Sequence, residues 1–342
     1  MSKRVLVIGG GISGIKAAVD LGQLGIETDL IERTDNLGGT FAELGKTFPH
    51  DVDAQTFINK QIQTLKSLQN VKIHTNTQLT ALRKNGNGFE VTLDPSGETF
   101  HVGSVIVATG FSPFDATRIP NYGYRKYTNV INALDLADML KKGELNRPSD
   151  KKPPRSITFI LCVGSRDKKT NEYCSSFCCT YSVHLAKMIK ELDQAIDVMI
   201  MYMDIRTFSS YETLFLEARQ EGIKFLRGKP SYISENSETQ ELTIQVENTI
   251  TRELLFQKTD LIVLSIGAEP AAASEELGKV LNLTRHEKTG FFITKEEDDT
   301  TAVGQDRIFI VGNASGPKDA QYSLAQASAA ALKAAIIING LE

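Results

Sequence analysis

A glycine-rich turn near the N-terminus constrains the fold of this chain more than any other feature. Residues Arg4 to Ile8 form a short apolar run, and the pattern Gly9-x-Gly11-x-x-Gly14 follows it directly. A helical pattern of apolar residues comes next, so the order is strand, turn, helix. In that order the first glycine permits a sharp turn, the second lets backbone approach a pyrophosphate, and the third lets the helix pack against the strand. The segment predicts a Rossmann-type dinucleotide-binding domain.

An acidic residue lies where the adenosine of a dinucleotide would be held. A second apolar run, residues 27 to 31, ends in Glu32, which is 18 residues after Gly14. A carboxylate at that place can accept hydrogen bonds from both ribose hydroxyls and disfavours a 2'-phosphate. The phosphates would lie at the positive end of the following helix. This segment leaves NAD and FAD open, and a glycine-rich turn without a ligand is the remaining alternative.

Later segments favour FAD. Leu37-Gly38-Gly39-Thr40 follows the acidic residue as is typical of flavoprotein folds. Residues 104 to 110, SVIVATG, and 307 to 313, RIFIVGN, read as buried strands that end in small-residue turns. The final helix begins near Gln321, so its N-terminus could face an electron-rich ring edge.

This combination resembles the two-dinucleotide-domain flavoprotein family, which includes thioredoxin reductase and glutathione reductase, and the resemblance covers nearly the whole chain. It implies an α/β fold with a thioredoxin-reductase-like pair of Rossmann-type domains. In that family the last strand ends in Gly-Asp, whose Asp contacts the ribityl chain of FAD. The matching pair here is Gly312-Asn313, and an amide side chain can still donate and accept hydrogen bonds.

The chain also shows where one domain interrupts the other. Residues 146 to 156, NRPSDKKPPRS, are polar, basic and proline-rich, which is typical of a linker, and a new apolar strand begins at once. We therefore predict that the FAD domain comprises residues 1–145 and 269–342. The inserted second domain, with the nucleotide-domain order of strand and helix, comprises residues 157–268.

Every cysteine of the chain lies in the inserted domain, within residues 162 to 179. The strand before them would feed a second glycine turn in an NAD-linked flavoprotein, but here it feeds CVGSRD, without that spacing. Cys174 and Cys178 are four residues apart and would share a helical face, with Cys179 adjacent and Cys162 at the strand end. A group of cysteines therefore stands where a dinucleotide-binding turn would be expected.

Four thiolates are the usual ligands of an iron-sulfur cluster. Zinc also accepts four thiolates in a tetrahedron, and a vicinal disulfide at Cys178 and Cys179 or inert buried thiols are further readings of the same residues. A metal that works beside a flavin is expected to carry electrons, which zinc cannot do. The residues favour iron.

Several motifs closely resemble the core of the A subunit of heterodisulfide reductase. They are CVGSRD with the following cysteine and cysteine pair, YMDIRTF at 202–208, FLRG at 225–228, and GNASGPKDAQYSLAQASAAA at 312–331. The resemblance implies a 4Fe-4S cluster with Cys162, Cys174, Cys178 and Cys179 as its ligands. The predicted flavin-binding residues are Gly9, Gly11, Ile12, Ser13, Gly14, Glu32, Arg33, Gly38, Gly39, Thr40, Leu79, Ala108, Thr109, Gly110, Gly312, Asn313, Lys318, Gln321, Tyr322 and Ser323.

The resemblance also implies a function. Methanogen members carry additional ferredoxin-like cluster domains, whereas this chain has four cysteines, so it looks like the short form found in sulfur-oxidising bacteria or the flavoprotein subunits of sulfate reducers. The implied role is electron relay between FAD and cluster, with B and C subunits and a second copy of the chain as partners. Electron bifurcation is not carried over. The alternatives are a flavin-dependent thiol-disulfide oxidoreductase of the thioredoxin reductase type and a zinc-stabilised scaffold.

Charge and hydropathy exclude other classes. A formal net charge of -4 and a pI near 5.9 do not provide the positive field that nucleic acid or an anionic membrane requires. The N-terminus does not read as a secretory signal, and no apolar stretch reads as a membrane span. Because cytoplasmic thiols stay reduced, a tight cysteine group is expected to bind metal or do redox chemistry there. We expect a cytoplasmic protein.

Four smaller expectations concern single residues. Lys318 either reaches the flavin ring or is a solvated lysine, and Arg166 and Asp167 either stabilise the cysteine loop as an ion pair or form a solvent-exposed pair. His184 is expected to form hydrogen bonds rather than to serve as a metal ligand. The alanine-rich terminal helix is expected to pack within the chain.

Overall fold

The computed structural model describes residues 2–47, 52–294 and 307–340, and the backbone alone of residues 303–305. These residues divide into two compact units. The first comprises residues 1–42, 54–112 and 269–342, and the second comprises residues 43–53 and 113–268.

The strands are, in chain order, β1 (Arg4–Ile8), β2 (Glu27–Ile31), β3 (Lys46–Thr47), β4 (Val52–Asp53), β5 (Val71–His74), β6 (Gln78–Asn85), β7 (Gly88–Asp94), β8 (Thr99–Val102), β9 (Ser104–Val107), β10 (Phe111–Pro113), β11 (Val130–Asn132), β12 (Ser156–Val163), β13 (Asp197–Tyr202), β14 (Lys224–Arg227), β15 (Pro230–Glu235), β16 (Leu242–Asn248), β17 (Glu253–Thr259), β18 (Leu261–Ile266), β19 (Ala268–Pro270), β20 (Val303–Gln305) and β21 (Ile308–Ile310).

The helices are α1 (Ile12–Gln23), α2 (Ala54–Ser67), α3 (Ala133–Lys142), α4 (Cys178–Leu192), α5 (Glu212–Gln220), α6 (Ser274–Leu281) and α7 (Ala320–Asn339). Short 3-10 turns cover Gly39–Glu43, Ala116–Arg118, Pro120–Tyr122, Ser209–Tyr211 and Gly312–Ser315. Within the described ranges, no helix combines the length and the apolar content needed to cross a bilayer.

The first unit is built on a six-stranded sheet in the order β20-β21-β9-β1-β2-β5. Strand β1 pairs in parallel with β2 on one side and β9 on the other, as in a Rossmann-type fold. Alternate side chains of a strand point to opposite faces. Val5 and Val7 accordingly join one buried cluster with α1 and α7, and Leu6 and Ile8 join another with the antiparallel sheet β6-β7-β8. The sheet is buried on both faces.

The second unit repeats this plan. Its sheet has the order β11-β18-β12-β13-β14, and the neighbouring strands pair in parallel. In β12, Ile157 and Phe159 face a cluster that includes α4, while Ile160 and Val163 face a cluster that includes the antiparallel sheet β15-β16-β17. The βαβ order around α4 that the sequence predicts is therefore present.

Local signals explain where several helices begin and end. Helix α3 begins with a capping box, because the Asn132 side chain accepts from the backbone of Asp135 and the Asp135 side chain accepts from the backbone of Asn132. Helix α7 begins after Asp319, whose carboxylate accepts from Tyr322 N at 2.7 Å, and ends at Gly340 in the left-handed conformation. Alanines 327, 330, 331, 334 and 335 of α7 are buried within the first unit.

The first domain boundary differs from the predicted one. Residues 113–145 belong to the second unit rather than to the FAD domain, as do residues 43–53. The reason is a non-local pairing, since Val130 of β11 lies in parallel register with Ile262 of β18. The boundary at residues 268 and 269 coincides with the predicted one.

The segment predicted as an interdomain linker, residues 146–156, lies inside the second unit. Arg147 Nε donates to Asp150 at 3.1 Å, and Arg147 Nη1 lies 3.7 Å from Asp260. The basic, proline-rich composition therefore marks an ion-paired turn that leads into β12.

Candidate cofactor sites

The three glycines of the N-terminal turn have different surroundings. A Cβ atom built on Gly9 would lie 2.5 Å from the carbonyl oxygen of Ala108, and one on Gly14 would lie 1.8 Å from the carbonyl oxygen of Gly9. A Cβ on Gly11 would meet no atom within 4 Å. Gly9 and Gly14 are therefore required by the protein's own packing, whereas the open space at Gly11 is what a pyrophosphate needs.

The start of α1 is also free to receive phosphate. Gly11 is the N-cap of the helix, it provides no side-chain cap, and no acidic residue occupies the first turn. The first backbone N–H groups of a helix have no partner within the helix and favour an anion. Space and donors thus meet at the same end of α1.

The second glycine pair supports this turn. Gly38 N donates to Gly10 O at 2.8 Å, and a Cβ on Gly39 would lie 3.2 Å from Gly11 Cα. Both glycines have positive φ, at 116° and 55°. The Gly38-Gly39 segment therefore follows the N-terminal turn closely, and side chains would separate the two backbones.

The carboxylate of Glu32 is held in place by the same turn. Its Oε2 accepts from Gly10 N at 2.7 Å, and its Oε1 accepts from Thr34 N and Oγ1, each at 2.9 Å. A carboxylate has about four acceptor sites. Three are used by these contacts, so one remains for a ribose hydroxyl.

The turn after β9 contains an unpaired polar atom. Thr109 Oγ1 is buried and has no hydrogen-bond partner among the residues that the structure describes. A buried hydroxyl without a partner costs free energy, and native proteins rarely leave one. This atom, in the predicted flavin-binding turn Ala108-Thr109-Gly110, fits a polar group of a bound cofactor.

The turn after β21 is fixed by residues from two helices. A Cβ on Gly312 would lie 2.4 Å from Ser13 Oγ of α1, and Gly312 N donates to Gln326 Oε1 of α7 at 2.8 Å. Sequence reasoning missed Gln326, which is buried in the alanine-rich helix. A single amide among alanines was the available signal.

Asn313 and Lys318 are joined to each other. Asn313 Oδ1 accepts from Lys318 N at 2.9 Å, and Asn313 Nδ2 donates to Lys318 O at 3.2 Å. The Lys318 ammonium donates to Gly312 O, Ser315 Oγ and Gly316 O at 3.0, 3.0 and 2.9 Å. Burial lowers the pKa of Lys318 to about 8. Lys318 is thus not a solvated surface lysine. In this structure its ammonium group stabilises the turn after β21 by donating hydrogen bonds to it.

The remaining predicted flavin-binding residues differ in exposure. Arg33, Gln321 and Tyr322 are exposed, Ile12 and Thr40 are half-buried, and Ser323 is buried with its hydroxyl donating to Asp319 O at 2.7 Å. Leu79 lies in the buried cluster with Ile8 and Ile31.

The four cysteines come from a strand end, a loop and a helix start. Cys162 lies within β12, which continues to Val163, and has a positive φ of 60°. Cys178 and Cys179 are the first two residues of α4. Cys174 lies in the loop before α4, so the prediction that Cys174 and Cys178 share a helical face is wrong: the helix begins only at Cys178.

The four thiols influence one another. Burial, with smaller contributions from Cys179 and Cys174, raises the pKa of Cys162 to about 11. The pKa of Cys178 is raised by its hydrogen bond to Cys179 and by burial, with smaller contributions from Cys162 and Cys174. That hydrogen bond from Cys178 lowers the pKa of Cys179, as does the backbone of Arg206. All four thiols therefore converge on one region.

Hydrogen bonds hold the loop between Cys162 and Cys178 against Gly267 and Ala268, which follow β18. The hydroxyls of Ser165 and Ser175 lie 2.6 Å apart, and Ser175 Oγ also accepts from Ala268 N at 2.9 Å. Tyr173 OH donates to Ala268 O at 2.9 Å. A Cβ on Gly267 would lie 2.3 Å from Ser165 Oγ. The loop that carries Cys174 is thus tied down at three residues.

The predicted pairing of Arg166 with Asp167 is wrong. Arg166 forms an ion pair with Asp204, and Asp167 forms one with Lys229. Both pairs bring distant segments to the cysteine loop, which local charge patterning cannot reveal. His184 is buried on α4.

The donor set fits an iron-sulfur cluster in its chemistry. Within the described residues, no group of three or more His, Cys, Asp or Glu side chains has the arrangement that one metal ion would need. A multi-iron cluster distributes its cysteine ligands over different iron atoms, so its thiolates lie further apart than the ligands of one zinc ion. Four free, converging cysteines, three of them buried, suit the cluster.

Comparison with solved structures agrees with this architecture. Thioredoxin reductase of Lactococcus lactis matches with a TM-score of 0.68 at 20% identity and covers 99% of both chains. Thioredoxin reductase of T. acidophilum matches with a TM-score of 0.65 at 16% identity, covering 99% of this chain and all of the other. A family model described as pyridine nucleotide-disulphide oxidoreductase matches residues 1–128. The chain has the two-Rossmann fold of the flavoprotein oxidoreductases.

Relatives with related sequences are more specific. An iron-sulfur A subunit of CoB–CoM heterodisulfide reductase from Methanopyrus kandleri is 31% identical over 98% of this chain, and the corresponding protein of Methanocaldococcus jannaschii is 32% identical over 97%. Over almost its whole length, the chain is therefore similar to heterodisulfide reductase A subunits. It spans 64% of the length of these two relatives. The first alignment covers 424 positions against the 342 residues here, so the relative has insertions within the matched region.

Proposed function

We propose that this chain is an electron-transfer component of a heterodisulfide-reductase-like complex, carrying FAD in its first unit and a 4Fe-4S cluster in its second. One observation carries the proposal. Where a second dinucleotide turn would follow β12, four free cysteines are found instead, at the end of β12, in the following loop and at the start of α4.

The first unit would hold FAD through the groups described above. The open space at Gly11 and the start of α1 would receive the pyrophosphate, and Glu32 would accept a hydrogen bond from a ribose hydroxyl. The hydroxyl of Thr109 would gain the hydrogen-bond partner that it lacks. Bound FAD supplies chemistry that accepts electrons in pairs or singly.

The second unit would hold the cluster through Cys162, Cys174, Cys178 and Cys179. A 4Fe-4S centre exchanges one electron at a time, so the two groups together would connect two-electron and one-electron chemistry. The protein's contribution is to exclude water from Cys162, Cys178 and Cys179, which are buried, and to hold Cys174 on its hydrogen-bonded loop.

Partners and setting follow from the family. The relatives are described as A subunits of heterodisulfide reductases, and such a designation implies further subunits. We propose B and C subunits and a second copy of this chain as partners, in the cytoplasm, with sulfur-compound oxidation as the setting.

One observation favours the alternative, a thiol-disulfide oxidoreductase of the thioredoxin reductase type. Cys178 donates to Cys179 and lowers its pKa, which is the arrangement of a reactive thiol pair. Both sulfurs are buried, however, and a thiol that attacks a disulfide must be reached by it.

The test is anaerobic purification followed by iron, acid-labile sulfide and flavin quantification. We expect about four iron atoms and about four sulfides per chain, the content of one 4Fe-4S cluster, together with FAD and a brown colour. Four single variants, with Cys162, Cys174, Cys178 or Cys179 replaced by Ser, should each contain less iron than wild type and retain FAD. A yellow, iron-free protein that consumes NADPH and reduces disulfides would establish the alternative, and an iron-free protein that binds zinc would establish a scaffold.

A further inference from the structure

A guanidinium group lies beside one of the four sulfurs. Arg166 Nη1 is 4.0 Å from Cys162 Sγ, and the same nitrogen donates to the carboxylate of Asp204. The Arg166 side chain is 21% exposed, so the pair is partly shielded from solvent. A cation at this place acts on the thiol more strongly than a solvated one would.

The backbone around Arg166 is fixed so that its side chain returns to Cys162. Arg166 has a φ of 58°, in the left-handed region that residues other than glycine adopt uncommonly. Its N–H donates to Tyr173 O at 3.0 Å, and Ser165 N donates to Cys162 O at 3.2 Å. Gly164 has a φ of 78°, and a Cβ atom built on it would lie 2.2 Å from the ring of Phe114. Phe114 therefore packs directly against the backbone of Gly164. The turn thus has little freedom to aim the side chain elsewhere.

Asp204 holds the far side of the guanidinium. It also contacts Arg206, whose Nε and Nη2 each lie 3.4 Å from Asp204 Oδ2. Two arginines and one carboxylate leave one net positive charge beside the sulfurs.

We propose that Arg166 is a positioning residue that raises the reduction potential of the cluster, by hydrogen bonding to the Cys162 thiolate, and that Asp204 holds Arg166 in place. This inference rests on the proposed function. A cluster bound by four thiolates gains one negative charge when it accepts one electron. A nearby cation stabilises the more negative, reduced form, so the potential rises, as hydrogen bonds to cluster sulfurs are known to do.

The test is a dithionite titration of the anaerobic holoprotein, followed by electron paramagnetic resonance. Arg166→Gln should disfavour cluster reduction about tenfold, the effect of one charge-assisted hydrogen bond, which corresponds to about 59 mV for a one-electron couple. Arg166→Lys keeps the positive charge but not the planar guanidinium group, so its reduction potential should lie between those of wild type and Arg166→Gln. Arg206→Gln is the matched control, because it removes the same charge from the same carboxylate and keeps the Arg166 contact.

Each outcome decides a different statement. A lower potential in Arg166→Gln, with a smaller change in Arg206→Gln, supports the inference. Equal shifts of the reduction potential in both variants would show that only long-range charge acts, and this would overturn the inference. No shift in either variant would also overturn it. If Arg166→Gln retains less than a full cluster, Arg166→Lys replaces it in the comparison, and a wild-type potential there overturns the inference. Iron-free wild-type protein would overturn the proposed function itself, and this inference with it.

Discussion

The side-chain oxygen of Gln326 accepts a hydrogen bond from the backbone N–H of Gly312 at 2.8 Å. Both residues are buried, and they lie in α7 and in the turn that follows β21. A helix otherwise packed through alanines therefore supplies one amide to the backbone that would face the flavin.

Gln326→Leu tests this contact. The Gly312 N–H would lose its partner while buried, so the free energy of unfolding should fall by about 1–3 kcal/mol. Flavin affinity should fall as well, because the turn is no longer fixed. Denaturant unfolding and flavin titration measure the two effects. Gln23→Leu, at the exposed end of α1, should change stability by about 0.5 kcal/mol or less, and an equal loss there would contradict the assignment.

Gly11→Ala and Gly14→Ala should separate binding from folding. A methyl group at Gly11 enters open space and leaves the protein folded, but it fills the predicted pyrophosphate site, so flavin content should fall. A methyl group at Gly14 collides with the backbone of Gly9 and should cost about 1–3 kcal/mol or more of stability. Thermal unfolding of the flavin-free proteins, with flavin quantification, distinguishes them. Normal flavin in Gly11→Ala would refute the site.

Lys318 should make stability depend on pH. Its pKa is about 8 in the folded protein, below the ordinary value of 10.5, because burial disfavours the charge. Between these values the unfolded chain binds more protons, so the free energy of unfolding should rise as pH increases from about 8 to 10.5 and level off beyond. Lys318→Met should remove this rise relative to wild type, and Lys66→Met, exposed on α2, should not. Parallel profiles for wild type and Lys318→Met would disprove it.

Tyr181→Phe should be neutral or stabilising in the protein without its cofactors. The Tyr181 hydroxyl is buried on α4 and has no hydrogen-bond partner among the described residues, so its removal ends an uncompensated desolvation cost. Burial accordingly raises the pKa of Tyr181. Chemical denaturation of wild type and variant measures the difference. A loss of about 1 kcal/mol or more would indicate a partner in solution.

The sequence predicted those parts of the fold that depend on residues close together in the chain. The turn from Gly9 to Gly14 and the continuation of β12 into Cys162 are local, since a strand, its turn and its helix lie within a short stretch. The comparisons confirm the fold that these motifs indicate, and heterodisulfide reductase A subunits are among the relatives that they find. The ligand roles of the cysteines remain a prediction.

Long-range contacts were not readable in this way. Val130 pairs with a strand more than a hundred residues later, and this pairing moved the first domain boundary. Arg166 finds Asp204 rather than its neighbour Asp167, because folding brings the segment after β13 to the cysteine loop. Charge patterns along the chain give no information on such partners.

Cys162 of β12 and Cys179 of α4 are part of one buried hydrophobic cluster, and Cys178 is the first residue of α4. Cys174 lies in the loop before that helix. Under the proposed function, folding of the chain would therefore position three of the four cluster ligands, and insertion of the iron would be a separate maturation event on an iron-free precursor.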